Sequence, residues 1–223
     1  MKLSSIPRRA AQAGFTLVEI AIVLVIVGLL LAGVLKGQEL IENSRVKAAA
    51  GEMNGVSAAF NAYRDRFRTL PGDDGPNAAA LQARGGSWAN ITLAGNNNGL
   101  LLVTQAQVFT GAGEGAAFWQ ALKAAGFITG NPADAAVAAL PRNAFGGLIG
   151  VGAPVTGMTT SNGICLSQVP GKAARALDVQ LDDGVSNAGS IRSTLGVTGA
   201  NTNPGAASAT YDDGQQYTLC REL

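Results

Sequence analysis

The sequence predicts an α+β protein in which one long N-terminal helix leads into a smaller, strand-rich head. Three observations support this fold class. Residues 15–35 form an apolar run whose one charge is Glu19. An apolar stripe with helical spacing then continues to about residue 67, without a helix breaker before Pro71. Residues 71–223 are rich in Gly, Ala, Asn, Thr and Ser, which is typical of short strands joined by many turns.

The composition excludes several classes of function. The 223 residues contain no His, so a Ser-His-Asp triad, a Cys-His pair and an imidazole zinc site are all excluded. Lys and Arg number 16 against 15 Asp and Glu, and this balance gives no support for a nucleic-acid partner. The glycine-bounded run at 95–99 lacks the lysine of a phosphate-binding loop. The sequence therefore predicts a protein that is not an enzyme.

The apolar run at 15–35 has the length of a membrane span. Its 21 residues form a helix of roughly 30 Å, the thickness of a bilayer core. The basic residues Lys2, Arg8 and Arg9 precede it and favour a cytoplasmic N-terminus, so the remainder of the chain is expected to be exported. A carboxylate inside such a span is costly, which makes Glu19 a candidate functional residue.

Three ordinary interpretations of this N-terminal segment compete. A secretory signal peptide is cut after its apolar run, but the small-residue triplet Ala11-Gln12-Ala13 lies before the run. A twin-arginine signal, suggested by Arg8-Arg9, has the same problem of order. A plain signal anchor explains the length and the charge, but it does not explain Glu19.

The junction between the leader and the span reads Gly14-Phe15-Thr16-Leu17-Val18-Glu19. This run resembles the processing motif of the type IV prepilin and pseudopilin family. The resemblance implies that a membrane aspartic peptidase, the prepilin peptidase, cuts after Gly14 and methylates the new N-terminal Phe15. It also implies that Glu19 promotes assembly.

One position departs from the family pattern, because many type IV pilins have a proline where this chain has Lys36. Flexibility of the helix is then expected from glycines. The glycines nearest to this position are Gly28, Gly33 and Gly37.

The resemblance further implies an organisation and a function. It divides the chain into a leader at 1–14, a helix at 15–69 with its transmembrane part at 15–35, and a pilin head at 70–223. The expected location is the inner membrane, crossed once, with the head in the periplasm, and afterwards a pilus or pseudopilus at the cell surface. The expected partners are the prepilin peptidase, other pilin subunits, an inner-membrane assembly platform and the membrane itself.

Three functions remain open at this point. The leading one is a structural subunit of a type IV pilus or a pilus-like filament. The alternative within the family is a pseudopilin of a type II secretion system. A membrane-anchored periplasmic binding protein or enzyme would need converging ionisable groups in the head, and no motif points to them.

The second half of the helix carries a single apolar face. Its members recur at alternating spacings of three and four: Val46, Ala49, Met53, Val56, Phe60, Tyr63 and Phe67. A coiled-coil dimer is the alternative interpretation of such a stripe. The seam contains Ala, Met and aromatic residues and lasts for fewer than four heptads, so packing against the chain's own head is predicted.

Several elements of the head are predicted from local patterns. A helix is expected at 114–126, with Phe118, Leu122 and Ala125 on its inner face and Gly126 as its C-cap. A second short helix is expected at 170–182. Strands are predicted at 146–155, 161–169 and 207–221, the last folded as a hairpin around Asp213-Gly214. Trp88 and Trp119 are predicted to lie in the core, and the family resemblance implies an antiparallel sheet packed on the long helix.

The two cysteines, Cys165 and Cys220, are 55 positions apart and form no C-x-x-C motif. In an exported head a disulfide between them is predicted, and two buried thiols are the alternative. The pair also fits the C-terminal disulfide that the pilin resemblance implies.

The tripeptide Asp-Asp-Gly occurs at 73–75, 182–184 and 212–214. Turn chemistry explains all three, because Asp bonds to its own backbone and Gly accepts a positive φ. A second hypothesis concerns Asp178, Asp182 and Asp183. Repulsion between these carboxylates at a helix end would be relieved by a hard cation, which makes Ca²⁺ the one candidate cofactor.

Overall fold

The computed structural model describes residues 16–158 and 162–223. The chain divides into two compact units, Met1–Ile41 and Glu42–Leu223. The α-helices are α1 Leu17–Phe67, α2 Ala78–Gln82, α3 Gly113–Ala124 and α4 Gly171–Leu181, and the strands are β1 Ile149–Gly152, β2 Gly163–Pro170, β3 Ile191–Gly196 and β4 Gln216–Glu222. Three 3₁₀ turns lie at Gly86–Asn90, Gln105–Gln107 and Ala136–Ala139.

The first unit contains the apolar half of α1. Large apolar side chains are exposed along it, from Leu17 at 90% exposure to Ile41 at 58%. The helix runs without interruption through Lys36, which pairs with Glu39 one turn later at 2.8 Å. No helix-breaking residue interrupts this segment, so its backbone hydrogen bonds are satisfied inside the helix.

The second unit buries the apolar stripe of α1 against the head. The buried members are Val46, Ala49, Met53, Val56, Phe60 and Tyr63, and Phe67 is half-buried at the end of the helix. Phe60 packs against Phe118 of α3, with their ring centroids 6.3 Å apart. The predicted packing of this stripe on the chain's own head is therefore confirmed, and the stripe is not a free coiled-coil seam.

The head is built on a four-stranded antiparallel sheet of order β1-β2-β4-β3. Its outer strands are protected by loops. The amide of Ala153 donates to the carbonyl of Val103 beside β1, and the amide of Ser208 donates to the carbonyl of Ser193 in β3. Such cover prevents the edges from pairing with other chains in an uncontrolled way.

The two predicted head helices are present. Helix α3 ends as expected: Gly126 has a φ of 78°, and the amide of Phe127 reaches back to the carbonyl of Leu122. Phe118 and Leu122 are fully buried, while Ala125 is half-buried. Helix α4 lies within the predicted range 170–182. Both tryptophans are in the core, as predicted.

The predicted hairpin around Asp213-Gly214 is wrong. Strand β4 begins only at Gln216, and it pairs with β3 and β2 instead of with residues 209–211. The reason lies in the hydroxyl of Tyr217, which bonds the amide of Asp212 and the carbonyl of Thr210 and so holds this segment as a loop. The strands predicted at 146–155 and 161–169 are present as the shorter β1 and as β2.

Candidate functional site

The start of α1 places the carboxylate of Glu19 over the first turn of the helix. The backbone amide of Thr16 donates to Oε2 of Glu19 at 2.8 Å, and the hydroxyl of Thr16 donates to the same oxygen at 2.9 Å. In return the Thr16 hydroxyl accepts from the amide of Glu19 at 3.2 Å. This reciprocal arrangement is a capping box, which satisfies amides that the first helical turn leaves free.

The apolar half that follows Glu19 is long and apolar enough to cross a membrane, judged by length and composition. A side chain added at Gly28, Gly33 or Gly37 would meet no atom of another described element within 4 Å, so no described part of the chain packs against these glycines. The predicted cleavage and methylation residues, Gly14 and Phe15, lie outside the described residues.

The far end of α1 is fixed by a buried network that the sequence did not reveal. The hydroxyl of Tyr63 donates to Asp74 at 2.5 Å, and Arg84 approaches the same carboxylate with two nitrogens at 2.7 and 3.1 Å. Arg84 also lies over the ring of Trp88, 4.6 Å from its centroid. Burial, followed by the Asp74 contact, raises the pKa of Tyr63 well above its usual range. This network attaches the loop after α1 to the helix.

The first Asp-Asp-Gly segment is therefore more than a turn. Asp73 is also buried, and its carboxylate accepts the amide hydrogens of Asn98 at 3.1 Å and Gly99 at 2.7 Å. The third segment is a turn as predicted, because Asp212 accepts from the amide of Gly214 at 2.8 Å. Identical tripeptides thus serve different purposes, and the sequence offers no signal that separates them.

Cys165 in β2 and Cys220 in β4 are directly opposite each other and form a buried disulfide, with Cα atoms 4.0 Å apart. The next residue, Arg221, reaches α1, where its guanidinium donates to Asn54 at 2.7 Å and to Ser57 at 2.6 Å. Burial lowers the pKa of Arg221. The C-terminal strand is thus held both to the sheet and to the long helix.

The carboxylates of Asp178, Asp182 and Asp183 lie together at the end of α4, each offering an oxygen within 4.8 Å of the others. Asp178 is fully buried and accepts hydrogen bonds from the hydroxyl of Tyr211 at 2.7 Å and from the amide of Gly184 at 3.2 Å. Burial raises the pKa of Asp178, and the negative charges of the neighbouring carboxylates raise it further. The two hydrogen bonds lower the pKa, but their effect is smaller than that of burial.

The amides supply part of what a cation would supply here, because Asp182 and Asp183 each also accept a backbone hydrogen. The calcium site therefore stays a prediction.

The head also has an open groove of about 780 Å³ at the end of α1. Arg64, Asp65, Arg68 and Asp73 are its charged lining residues. The two guanidiniums are matched by two carboxylates, so the charged lining of the groove has no excess of either sign.

The comparisons with known proteins agree with the geometry of α1. The model of the prokaryotic N-terminal methylation motif matches residues 9–35, which include the predicted cleavage residue Gly14, Glu19 and the apolar run at 15–35. A search of curated proteins found no significant match. The motif match carries no information about the head.

The head adds an independent feature, since a long helix packed on a four-stranded antiparallel sheet is a pilin-like architecture. Taken with the type IV prepilin-like methylation motif and the long apolar helix, this architecture makes the chain similar to type IV pilins and pseudopilins.

Proposed function

We propose that the chain is a structural subunit of a type IV pilus, made as a precursor and polymerised through α1. One observation carries this proposal: the methylation motif leads directly into a helix segment whose apolar side chains are exposed on every side. A segment of this kind needs lipid or other apolar helices around it. The membrane supplies the first environment, and the core of a filament supplies the second.

Processing prepares the subunit for this transfer. Cleavage after Gly14 removes Lys2, Arg8 and Arg9, so the formal net charge of +1 falls to −2. It also creates a positive amine on Phe15, four residues before Glu19. The mature subunit then stays in the inner membrane, with its head in the periplasm, until the assembly platform moves it into the filament.

Glu19 has two candidate roles in this scheme. In the first, its carboxylate meets the terminal amine of a neighbouring subunit, and the pair fixes the axial register of the filament. Opposite charges attract strongly in such a low-dielectric core, where a lone carboxylate is costly. In the second role Glu19 only caps its own helix, and the contacts with Thr16 support this competitor.

Two substitutions separate these roles. Thr16→Val removes the hydroxyl contact but keeps the acid, while Glu19→Ala removes the acid. If the intersubunit pair holds, Glu19→Ala subunits insert and are cut but do not enter filaments when they are the only subunits supplied, whereas Thr16→Val subunits polymerise. Filaments sheared from cells are quantified by immunoblot. Normal filament yield from Glu19→Ala cells would leave only the capping role.

The cleavage step has its own test. A bulky residue in place of Gly14, such as Gly14→Phe, is expected to block the approach of the peptidase and to leave full-length precursor in the membrane. N-terminal sequencing of the wild-type protein should begin at a methylated Phe15. A wild-type protein that begins at Met1 in mature filaments would contradict the scheme.

A pilus and a type II secretion pseudopilus use the same kind of subunit, and the size of the head favours the pilus. Electron microscopy of cells that express the chain at its native level, compared with cells that overproduce it, distinguishes the two. Long surface filaments at native expression, lost on deletion of the gene, support the pilus. A secretion defect without surface filaments supports the pseudopilin alternative.

We also propose that Asp178, Asp182 and Asp183 bind Ca²⁺, because their oxygens converge within 4.8 Å. Full-length protein in detergent should melt at a higher temperature with Ca²⁺ than with chelator. The difference should vanish in Asp183→Asn and persist in Asp134→Asn, which lies outside the cluster. Equal melting temperatures with Ca²⁺ and chelator would remove this proposal.

A further inference from the structure

The loop at 95–99 lies against the first Asp-Asp-Gly segment and ends in the dipeptide Asn98-Gly99. Asp73 is 1% exposed, and its two carboxylate oxygens accept the amide hydrogens of this dipeptide, Oδ1 from Asn98 at 3.1 Å and Oδ2 from Gly99 at 2.7 Å. The dipeptide itself is exposed and lines the open groove at the end of α1. A buried carboxylate therefore contacts the backbone of an accessible Asn-Gly pair.

The side chain of Asn98 is folded back over the backbone that follows it. Its oxygen accepts the amide hydrogen of Leu100 at 2.9 Å, which is the hydrogen bond of an Asx turn. The ring closed by this hydrogen bond contains both the side-chain carbon Cγ of Asn98 and the backbone nitrogen of Gly99. A side chain added at Gly99, whose φ is 82°, would meet no atom of another described element within 4 Å. The described chain thus leaves space for a small covalent ring at this point.

Three groups around Asn98 favour attack of the Gly99 nitrogen on the side-chain carbonyl carbon. The carboxylate of Asp73 is placed to take the proton from the Gly99 nitrogen, as a general base does. The amide of Leu100 is placed to stabilise the negative charge that develops on the side-chain oxygen of Asn98. The Asx turn keeps the reacting atoms near each other, and glycine has no Cβ that would hinder ring closure.

We propose that Asn98 is a self-modification site, at which the folded chain converts this asparagine into aspartate and isoaspartate. The nitrogen of Gly99 forms a bond to Cγ of Asn98 and gives its proton to Asp73. The bond between Cγ and the side-chain nitrogen then breaks, and that nitrogen leaves as ammonia with the proton that Asp73 held. Water opens the resulting succinimide ring at either carbonyl, so that one water is consumed and one ammonia is released.

The other two Asn-Gly pairs of the sequence lie in or beside regular secondary structure and serve as internal references. Asn54-Gly55 lies inside α1, and the side-chain oxygen of Asn54 accepts from Arg221 at 2.7 Å. Asn162 directly precedes β2, and its backbone carbonyl accepts from the amide of Leu223 at 3.2 Å. Backbone that is fixed in a helix or a strand opposes the turn that ring closure requires, so folding should slow the reaction at both pairs.

The modification changes the charge of the groove. Arg64 and Arg68 are balanced there by Asp65 and Asp73. A carboxylate at position 98 adds one negative charge to this lining, next to Asp73, and like charges at this distance repel each other. Because the ammonia is lost, the conversion runs in one direction. The loop thus carries a built-in change of charge whose extent increases with the age of the molecule.

Incubation of the full-length protein in detergent, at neutral pH and in isotopically labelled water, tests the proposal. Peptide mass spectrometry should find the label at residue 98, about tenfold faster in the folded protein than in the same protein unfolded by urea and reductant, because the reduced freedom of the loop offsets part of the effect of the base. At Asn54 and Asn162 the folded protein should react more slowly than the unfolded one. A rate at Asn98 that is equal or lower in the folded protein would overturn the proposal, because the hydrogen bonds of the loop would then protect this asparagine.

Substitutions identify the base. Asp73→Asn should lower the rate at Asn98 about 100-fold, which is the lower end of what a general base contributes. Asp65→Asn removes the other acid of the groove and leaves the contacts of Asp73 intact, so this matched control should react like the wild type. Asn98→Gln should take up no label at this position, since ring closure is then less favourable. If Asp73→Asn reacted as fast as the wild type, Asp73 would not be the base and the proposal would be wrong.

The pH dependence of the wild-type rate keeps the test independent of how well the variants fold. In the unfolded chain hydroxide removes the amide proton, so the rate at Asn98 should rise with pH across the neutral range. In the folded protein the carboxylate of Asp73 takes this proton, so the rate should change little over the same range. A folded-state rate that follows hydroxide as the unfolded rate does would also overturn the proposal. The measurement involves no filament, so its failure would leave the proposed function untouched.

Discussion

The two halves of α1 belong to one helix but have opposite surroundings. Between Leu17 and Ile41 the large apolar side chains are exposed, whereas beyond Glu42 the apolar side chains form a stripe that the head covers. Hydrogen bonding within the helix is the same in both halves, so it does not explain the difference. The distribution of apolar residues around the helix does.

This difference shows where each half finds its stabilising contacts. A stripe on one face is buried by a single partner, and the head provides it. A helix that is apolar on all faces needs partners on all sides, and the described chain provides none within the first unit. The N-terminal half is therefore the part of the molecule whose environment lies outside the chain.

The largest expected difference between the two halves of α1 follows from placing a new carboxylate in each of them. Met53→Asp places an unpaired carboxylate at a fully buried position of the second half, which should cost more than about 4 kcal/mol and unfold the head. Val25→Asp places the same group in the first half, where it should hinder insertion by about 2.5–3.5 kcal/mol and leave the head folded. Membrane fractionation and thermal melting of the detergent-solubilised protein measure the two effects.

If Val25→Asp lowered the melting temperature of the head as much as Met53→Asp does, the first half would also contribute to the stability of the head, which would contradict this comparison. Val25→Leu is the control for a change of shape without charge, and it should alter neither insertion nor melting.

The disulfide tests whether the head stabilises itself. Replacing Cys165 and Cys220 together by Ser should lower the free energy of unfolding by about 3–4 kcal/mol, because the 55-residue loop is no longer closed in the unfolded chain. Insertion of the first half should be unaffected. Denaturant titration under oxidising and reducing conditions gives the value, and wild-type protein after reduction should match the double variant. An unchanged midpoint would show that the sheet holds without the bond.

Prediction from sequence succeeded where one local pattern decides the outcome. The apolar run, the stripe of α1 and the helix that ends at Gly126 depend on residues within a few turns of each other. Strand β3 was missed because its inward residues are Ile191 and Ser193, both fully buried, so the alternation of apolar and polar residues is absent.

The polar parts of the head could not be predicted for a different reason. Asp74 is buried because Tyr63 and Arg84 reach it from other elements, 11 and 10 residues away. Gln120 is buried because its amide bonds Thr92, and its carbonyl oxygen accepts from the amide of Leu93. Such partners meet only after folding, so the sequence pattern around each residue gives no sign of them.

Substitutions in the network around Asp74 are expected to change stability by a smaller amount, and they can be compared with a substitution in the first half of α1. Arg84→Met should cost about 1–3 kcal/mol of stability, since Asp74 keeps only the Tyr63 hydroxyl, and Tyr63→Phe should cost about 1 kcal/mol. Lys36→Met removes a charge from an exposed pair of the first half and should cause no measurable change. Thermal melting of the three variants should give this order. A larger effect for Lys36→Met would mean that the first half contributes to the stability of the head.

The smallest expected effect concerns a buried carboxylate of the head, and it appears in the pH dependence of stability. Burial raises the pKa of Asp178 above that of an ordinary carboxyl, so the folded head holds this proton more tightly than the unfolded chain does. The stability that protonated Asp178 contributes is complete below the unfolded pKa. It is lost as the pH rises through the raised folded pKa.

Asp178→Asn should therefore flatten the pH dependence of melting from about pH 4 upward, with a smaller change in stability than either Arg84→Met or Tyr63→Phe causes. Chelator must be present, because a bound cation would favour the ionised form and hide the effect. Asp183→Asn, at an exposed position, removes a neighbouring charge that raises the pKa of Asp178, so it should reduce the slope by less than Asp178→Asn does. Tyr211→Phe removes a bond that lowers the pKa of Asp178, so it should steepen the slope. If Asp178→Asn and Asp183→Asn gave the same pH profile, the buried carboxylate would have no separate role in the stability of the head.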